Sequence, residues 1–278
     1  MGERPLEIIS LGAGVQSTTM ALMAAHGELT PMPDCAIFAD TGAEPDYVYQ
    51  TVADLEELLP FPVYRVMKGE GLKSAILAST EAKGDGSYKG RFAGAPFYTT
   101  SQTDLGMGML RRQCTREFKI EPITKKVREL AGLKPRQRAK PGQIVARQWI
   151  GISWDERQRM KEPRERWLQH RWPLIEKHMT RGHCLEWMQA HNLPLPQKSA
   201  CTFCPYRTNA EWREMKADHP EAWQDAVAVD AAIRNGVRGT KEQLYVHQSM
   251  APLDQTDLTD ASAGQISFLD ECEGMCGV

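Results

Sequence analysis

Leu6-Glu7-Ile8-Ile9-Ser10-Leu11-Gly12-Ala13-Gly14-Val15-Gln16-Ser17-Thr18-Thr19-Met20-Ala21-Leu22-Met23 is the stretch that decides the fold. Its first six residues form an apolar run of strand length. Gly12-Ala13-Gly14 breaks it, and a helical stretch follows with Ser17 expected near its N-cap. A second unit repeats the pattern: Cys35-Ala36-Ile37-Phe38-Ala39 ends in Asp40-Thr41-Gly42, and Val48, Val52, Leu55 and Leu59 then recur at helical spacing. Pro62 to Val66 reads as a third strand and Arg147 to Ile152 as a later one. Strand–helix–strand alternation at this spacing predicts an α/β, Rossmann-like, mainly parallel sheet of about five strands.

Working outward, Gly84 to Gly108 is Gly-rich and polar and reads as a long loop over the sheet edge. Residues 116–131 read as a helix, Lys134 to Gly142 as a basic connection, and the chain from Glu162 onward as mainly helical, with polar loops at 192–200 and 251–266. The expected division is an α/β nucleotide-binding domain over 1–160 and a helical, cysteine-bearing region over 161–278. The 278 residues are enough to bury a sizeable core. No window approaches eighteen uncharged apolar residues, so no transmembrane helix is expected. Met1-Gly2-Glu3-Arg4-Pro5 lacks an apolar secretory core, and a cytoplasmic protein is expected.

The net charge of −2 hides an asymmetry. Residues 111–147 carry 12 basic and 3 acidic side chains, whereas residues 1–110 carry 7 and 14. The basic segment is either a solvated surface or a field aimed at phosphate, sulfate or nucleic acid.

Chemistry concentrates in a few places. Glycines at 12 and 14 let backbone approach an anion, the following helix N-terminus offers N–H groups and a positive dipole end, and Ser17 and Thr18 add hydroxyl donors. Asp40 ends the second strand, where open α/β sheets bind ligands. Of seven cysteines, Cys201 and Cys204 form a C-x-x-C ending in Pro205, a spacing that lets two thiolates share one metal ion or cluster. A thioredoxin-like pair would follow a strand, whereas this one follows a proline-containing loop. Cys272 and Cys276 form a C-x-x-x-C in the tail, either extra ligands or a redox pair.

Gly12-Ala13-Gly14-Val15-Gln16-Ser17-Thr18 resembles the PP-loop of ATP pyrophosphatases, S-G-G-x-D-S-[ST], with Gly12 for the first Ser and Gln16 for the Asp. Both departures resemble the phosphoadenylyl-sulfate-reductase branch of the adenine-nucleotide α-hydrolase superfamily. Phe38-Ala39-Asp40-Thr41-Gly42 resembles the D-T-G of that branch. Arg111-Arg112-Gln113-Cys114-Thr115-Arg116-Glu117-Phe118-Lys119-Ile120-Glu121-Pro122 resembles its C-C-x-x-R-K-x-x-P-L, with one cysteine of the pair absent. Gly151 within Trp149 to Arg157 resembles its G-x-R-x-x-E/D strand end, and Trp172 to Trp187 its P-L-x-x-W region. Glu271-Cys272 resembles the E-C-G near its C-terminus.

The resemblance implies a HUP-type fold and ATP with Mg²⁺ at Ser10, Gly12, Ala13, Gly14, Gln16, Ser17, Thr18, Asp40, Thr41, Gly42 and Gly151. It implies Cys272, Arg116 and Lys119 as catalytic groups. It adds Cys114 to the Cys201–Cys204 pair as a ligand of one metal centre, a four-iron, four-sulfur cluster favoured over zinc; Cys184, 17 residues before Cys201, is the expected fourth ligand by proximity, with Cys276 as the alternative. Three functions follow. One is an enzyme that adenylates an acceptor with release of pyrophosphate, in sulfur transfer or nucleic-acid modification. The second is a sulfonucleotide reductase using Cys272, and the third a non-catalytic nucleotide- or nucleic-acid-binding module with a structural metal. The expected partners are an adenine nucleotide and an anionic substrate at 111–147, nucleic acid among the candidates, with no membrane and a homodimer left open.

Overall fold

The computed structural model describes residues 4–81, 89–100, 107–134, 136–240 and 242–259. Its centre is a five-stranded parallel sheet, whose strands run in space from Val63–Met67 through Cys35–Asp40, Leu6–Leu11 and Ala146–Ile150 to Leu168–Arg171. Strand β1 spans Leu6–Leu11, helix α1 Val15–Ala25, β2 Cys35–Asp40, α2 Asp46–Leu58, β3 Val63–Met67 and α3 Gly71–Thr80. Two short antiparallel strands follow, β4 at Tyr98–Thr100 and β5 at Met107–Met109. A π-helical turn at Arg116–Ile120 leads into α4 at Glu121–Leu130, then β6 at Ala146–Ile150, a 3₁₀ turn at Trp154–Arg159, and β7 at Leu168–Arg171. The remainder is α5 Pro173–Glu176, α6 Arg181–Ala190, α7 Asn209–Asp218, α8 Pro220–Ile233 and β8 Leu244–Tyr245. This is the Rossmann-like α/β fold, and none of its described helices is long and apolar enough to cross a membrane.

The period-2 pattern of β1 explains how both faces are covered. Ile9 and Leu11 pack with Met20 of α1, Val52 of α2 and Met188 of α6. Ile8 turns to the opposite face with Ile37, Ile123 and Val127, beneath α4. A strand buried on both faces is apolar over most of its length, as β1 and β2 are. A third core, around Ile76, Phe97, Phe203, Trp212 and Ile233, fastens α3, α7 and α8 beside the sheet.

Three sequence expectations are corrected. The segment expected as one loop over 84–108 contains β4 and β5, which with β8 form a second, antiparallel sheet in the order β5-β4-β8. The stretch after Glu162 was expected to be mainly helical, yet Leu168–Arg171 adds the fifth strand beside β6. The sheet thus extends past residue 160. The N-cap of α1 is Gly14, and Ser17 is its third helical residue.

Glu7 is a polar exception within β1. It is buried, accepts the Trp149 indole N–H at 2.7 Å, and pairs with Arg147 at 3.0 Å across the β1–β6 register. Glu7→Ala would leave a fully buried indole N–H without a partner. The expected cost is about 3 kcal/mol, read as a lower midpoint in urea unfolding. A cost under about 1 kcal/mol would contradict this account of the β1–β6 seam.

Candidate nucleotide site and cysteine cluster

The turn between β1 and α1 lies where the sheet order reverses, because β1 pairs with β2 on one side and β6 on the other. Open α/β sheets bind ligands outside such a point. Ala13 adopts φ 58°, a left-handed conformation that costs a non-glycine residue about 1 kcal/mol, and this bends the chain sharply into α1. Val15, Gln16, Ser17 and Thr18 are all buried, yet no side chain caps the helix and no acidic residue occupies its first turn. A helix start of this kind presents N–H groups that have no intrahelical acceptor.

The loop is held in shape from within. The Gly12 N–H donates to Ser17 Oγ at 3.1 Å, and Ser17 Oγ donates to the Gly14 carbonyl at 3.4 Å. Gln16 turns sideways and donates to Glu156 at 3.3 Å. Thr18 Oγ1 and Ser10 Oγ are buried with no hydrogen-bond partner. Gly151, just past β6, closes the loop from behind: a Cβ there would lie 2.9 Å from both the N and Cα of Ser17. Only glycine permits that approach.

Asp40-Thr41-Gly42 continues the same rim from β2. Asp40 Oδ1 accepts the Gly42 N–H at 2.7 Å and the Tyr49 hydroxyl at 2.8 Å, while Gly42 has φ 64°. The Asp40 carboxylate thus shapes this turn. Burial, with Asp40 second, pushes the Tyr49 hydroxyl well above its ordinary pKa, so it stays a donor. Thr41 Oγ1 donates to Glu44 at 3.0 Å and lies 3.4 Å from Cys201 Sγ, so the rim meets the C-x-x-C directly.

Cys114, Cys201 and Cys204 line one small cavity of about 30 Å³, together with Thr41, Arg112 and Lys119. The Cys204 N–H donates to the Cys201 carbonyl at 3.0 Å, which makes the C-x-x-C a tight turn. Arg207 clamps that turn through the carbonyls of Ala200 and Cys201. Lys119 is buried on the π-helical turn and pairs with buried Glu44 at 3.3 Å. Burial first, then the Glu44 charge, raises the Cys201 thiol well above its ordinary pKa. Without a bound cation Cys201 is therefore a neutral thiol near pH 7.

Three thiols around one cavity have the donor chemistry of a zinc or iron–sulfur site. The cavity has room for a single ion or a water molecule or two, so a four-iron cluster requires its walls to move. No group of three or more His, Cys, Asp or Glu among the described residues has metal-site geometry as it stands. Cys184 is not brought to this cavity: it is fully buried on α6, in the core formed with α1, and its carbonyl lies 3.5 Å from the Thr19 hydroxyl. Cys272 and Cys276 lie outside the described residues.

No protein-family model matches the chain, and no curated protein matches it.

Arg116 and Lys119, three residues apart, serve different places. Lys119 lines the cysteine cavity, while exposed Arg116 lines an open recess with Lys68, Arg91, Arg111 and Arg112. Glu44 is the buried partner that sequence reasoning missed. No spacing rule links it to Lys119, which reaches it only through the fold.

Gly151→Ala is expected to push its methyl into Ser17 and displace the loop. MgATP affinity by calorimetry should fall about tenfold or more, with a stability loss of about 1–3 kcal/mol. Wild-type affinity in a folded Gly151→Ala protein would contradict the loop's role.

Proposed function

We propose that this chain is a PP-loop-type enzyme that binds MgATP across Gly12 to Thr18 and adenylates an acceptor with release of pyrophosphate. One observation carries the reading: the N-terminus of α1 is buried, lacks a side-chain cap, and sits at the point where the sheet order reverses. Burying such an end is costly unless an anion completes it.

The reading assigns a role to each part. The N–H groups of the first turn of α1 and the hydroxyls of Ser17 and Thr18 hold phosphate oxygens. Ser10, beneath the turn, and Gly151, behind it, fix the shape of the cradle. The acceptor oxygen attacks the α-phosphorus, the new P–O bond forms, and the bond to pyrophosphate breaks with its electron pair. Positioning and fixed positive charge lower that barrier, with Mg²⁺ neutralising the departing pyrophosphate. The cationic recess at Lys68, Arg91, Arg111, Arg112 and Arg116 can receive an anionic leaving group or acceptor.

Cys114, Cys201 and Cys204 are proposed to hold a metal centre beside this site. The resemblance favours an iron–sulfur cluster, and the small cavity favours a single zinc ion. When bound, the group would supply an open position for a sulfur atom, which would make the overall reaction a sulfur transfer. Lys119 and Thr41 line the cavity of that centre, and Glu44 holds both of them.

Pyrophosphate release from ATP is the direct test. Ser17→Ala should weaken ATP binding by about 1–3 kcal/mol through loss of a hydrogen bond to a charged phosphate. Unchanged affinity by calorimetry in a folded variant would overturn the assignment. For the second centre, anaerobically purified Cys201→Ser and Cys204→Ser proteins should each lose bound zinc or iron, and full metal content in both would refute it. Cys184→Ser is expected to keep the metal, since Cys184 belongs to the α1–α6 core.

A further inference from the structure

An open recess away from the cysteines lies on the α4 face, between α4 and the β6–β7 edge. It has a volume of about 370 Å³, within the range of pockets that enclose small organic ligands. Its floor is apolar: Ile120, Ile150, Ile152 and Leu168. The Trp172 indole reaches this recess, and its Nε1–H is buried with no hydrogen-bond partner. A buried N–H with no partner in the chain is completed by a water molecule or by a ligand acceptor. The neighbouring His170 lies edge-on to Trp172, its ring centroid 5.9 Å away, and burial lowers its pKa, so near neutral pH it adds no charge to the floor.

The rim is the opposite of the floor. Six cationic side chains line the recess against three glutamates. Arg159 is taken by Glu156, and Arg128 donates to the carbonyls of Lys134 and Gln137. Lys125 on the α4 wall, and Lys161 and Arg164 on the facing wall, have no ion-pair partner among the described residues. A flat ring with hydrogen-bond acceptors matches the floor and the indole, and phosphate matches the rim. Unpaired cations on two facing walls suit a phosphodiester chain that enters on one side and leaves on the other.

We propose that this recess binds a nucleotide unit of single-stranded nucleic acid, base inward and backbone phosphates on Lys125, Lys161 and Arg164. The inference deepens the function above by naming the acceptor's class. It rests on that reading for the chemistry, while the binding itself needs no turnover. A base enters such a recess only when unstacked, so a single strand is favoured over a duplex.

The experiment is fluorescence anisotropy of the full chain with a labelled oligodeoxythymidylate, the same oligomer annealed to its complement, and thymidine monophosphate as competitor. The single strand should bind with log affinity falling against log salt. The Lys125→Glu, Lys161→Glu double variant should lower affinity about tenfold or more and shrink the salt slope by about one per lysine. Trp172→Phe should weaken binding several-fold at an unchanged salt slope. Calorimetric MgATP affinity should stay at the wild-type value in both variants, whereas Ser17→Ala should lose ATP affinity and keep the oligomer. Equal binding of duplex, or competition by the mononucleotide as effective as by the oligomer, would overturn the proposal. So would a parallel loss of ATP affinity in the two recess variants, which would make this recess the ATP site. Loss of ATP binding in Ser17→Ala with the oligomer unaffected is the expected pattern. Failure of Ser17→Ala to affect ATP would count against the loop alone.

Discussion

A helix start enclosed by protein must find acceptors for its first N–H groups, and α1 has none of its own. Gly14 supplies no side chain, and no carboxylate stands in the first turn. The surrounding structure keeps that end in place. Ala13 takes a left-handed turn to reach it, Ser17 folds back on Gly12 and Gly14, and Gly151 presses against Ser17 without a Cβ between them. A dipole end of this kind favours negative charge, and enclosure strengthens the effect because water cannot screen it. The same strain in a surface turn would have little to offset it.

The second strand transmits this geometry to the cysteines. Asp40 spends its carboxylate on Gly42 and Tyr49, which fixes the exit of β2. Thr41 then bridges Glu44 and Cys201, and the Ala43 carbonyl accepts the Thr202 N–H at 2.8 Å. Opposite them, the π-helical turn carries Lys119 inward to Glu44. Such turns commonly mark functional sites because they re-aim one side chain without ending the helix. Two adjacent strand ends thus carry two adjacent features, the glycine turn into α1 and a thiol cavity, the latter joined to β2 by the Asp40–Gly42 rim.

The central strands and the glycine loop were legible because their signals are local: apolar runs of strand length, broken by glycine at a helix start. Gly151 was legible only through a family pattern, and the structure supplies the physical reason, its contact with Ser17. The fifth strand was hidden because Leu168-Gln169-His170-Arg171 is short, polar and at an edge, where pairing rather than hydrophobicity defines a strand. The β4–β5 pair was hidden because each strand has three residues, too few to show a period, in a Gly-rich stretch. Cys114 and the C-x-x-C were read as partners, and they do share a cavity. Cys184 was added by sequence proximity alone, and its burial against α1 shows how little proximity constrains a helix's facing. The Glu44–Lys119 pair had no sequence signal, since only the approach of β2 to the π-helical turn creates it.

The central claim is that the buried start of α1 is an anion site. Amide hydrogen exchange of the full chain with and without MgATP tests it most directly. The account predicts slower exchange at the amides of residues 12–18, with a smaller effect at 40–42. ATP binding that leaves residues 12–18 unchanged and slows exchange elsewhere would contradict it.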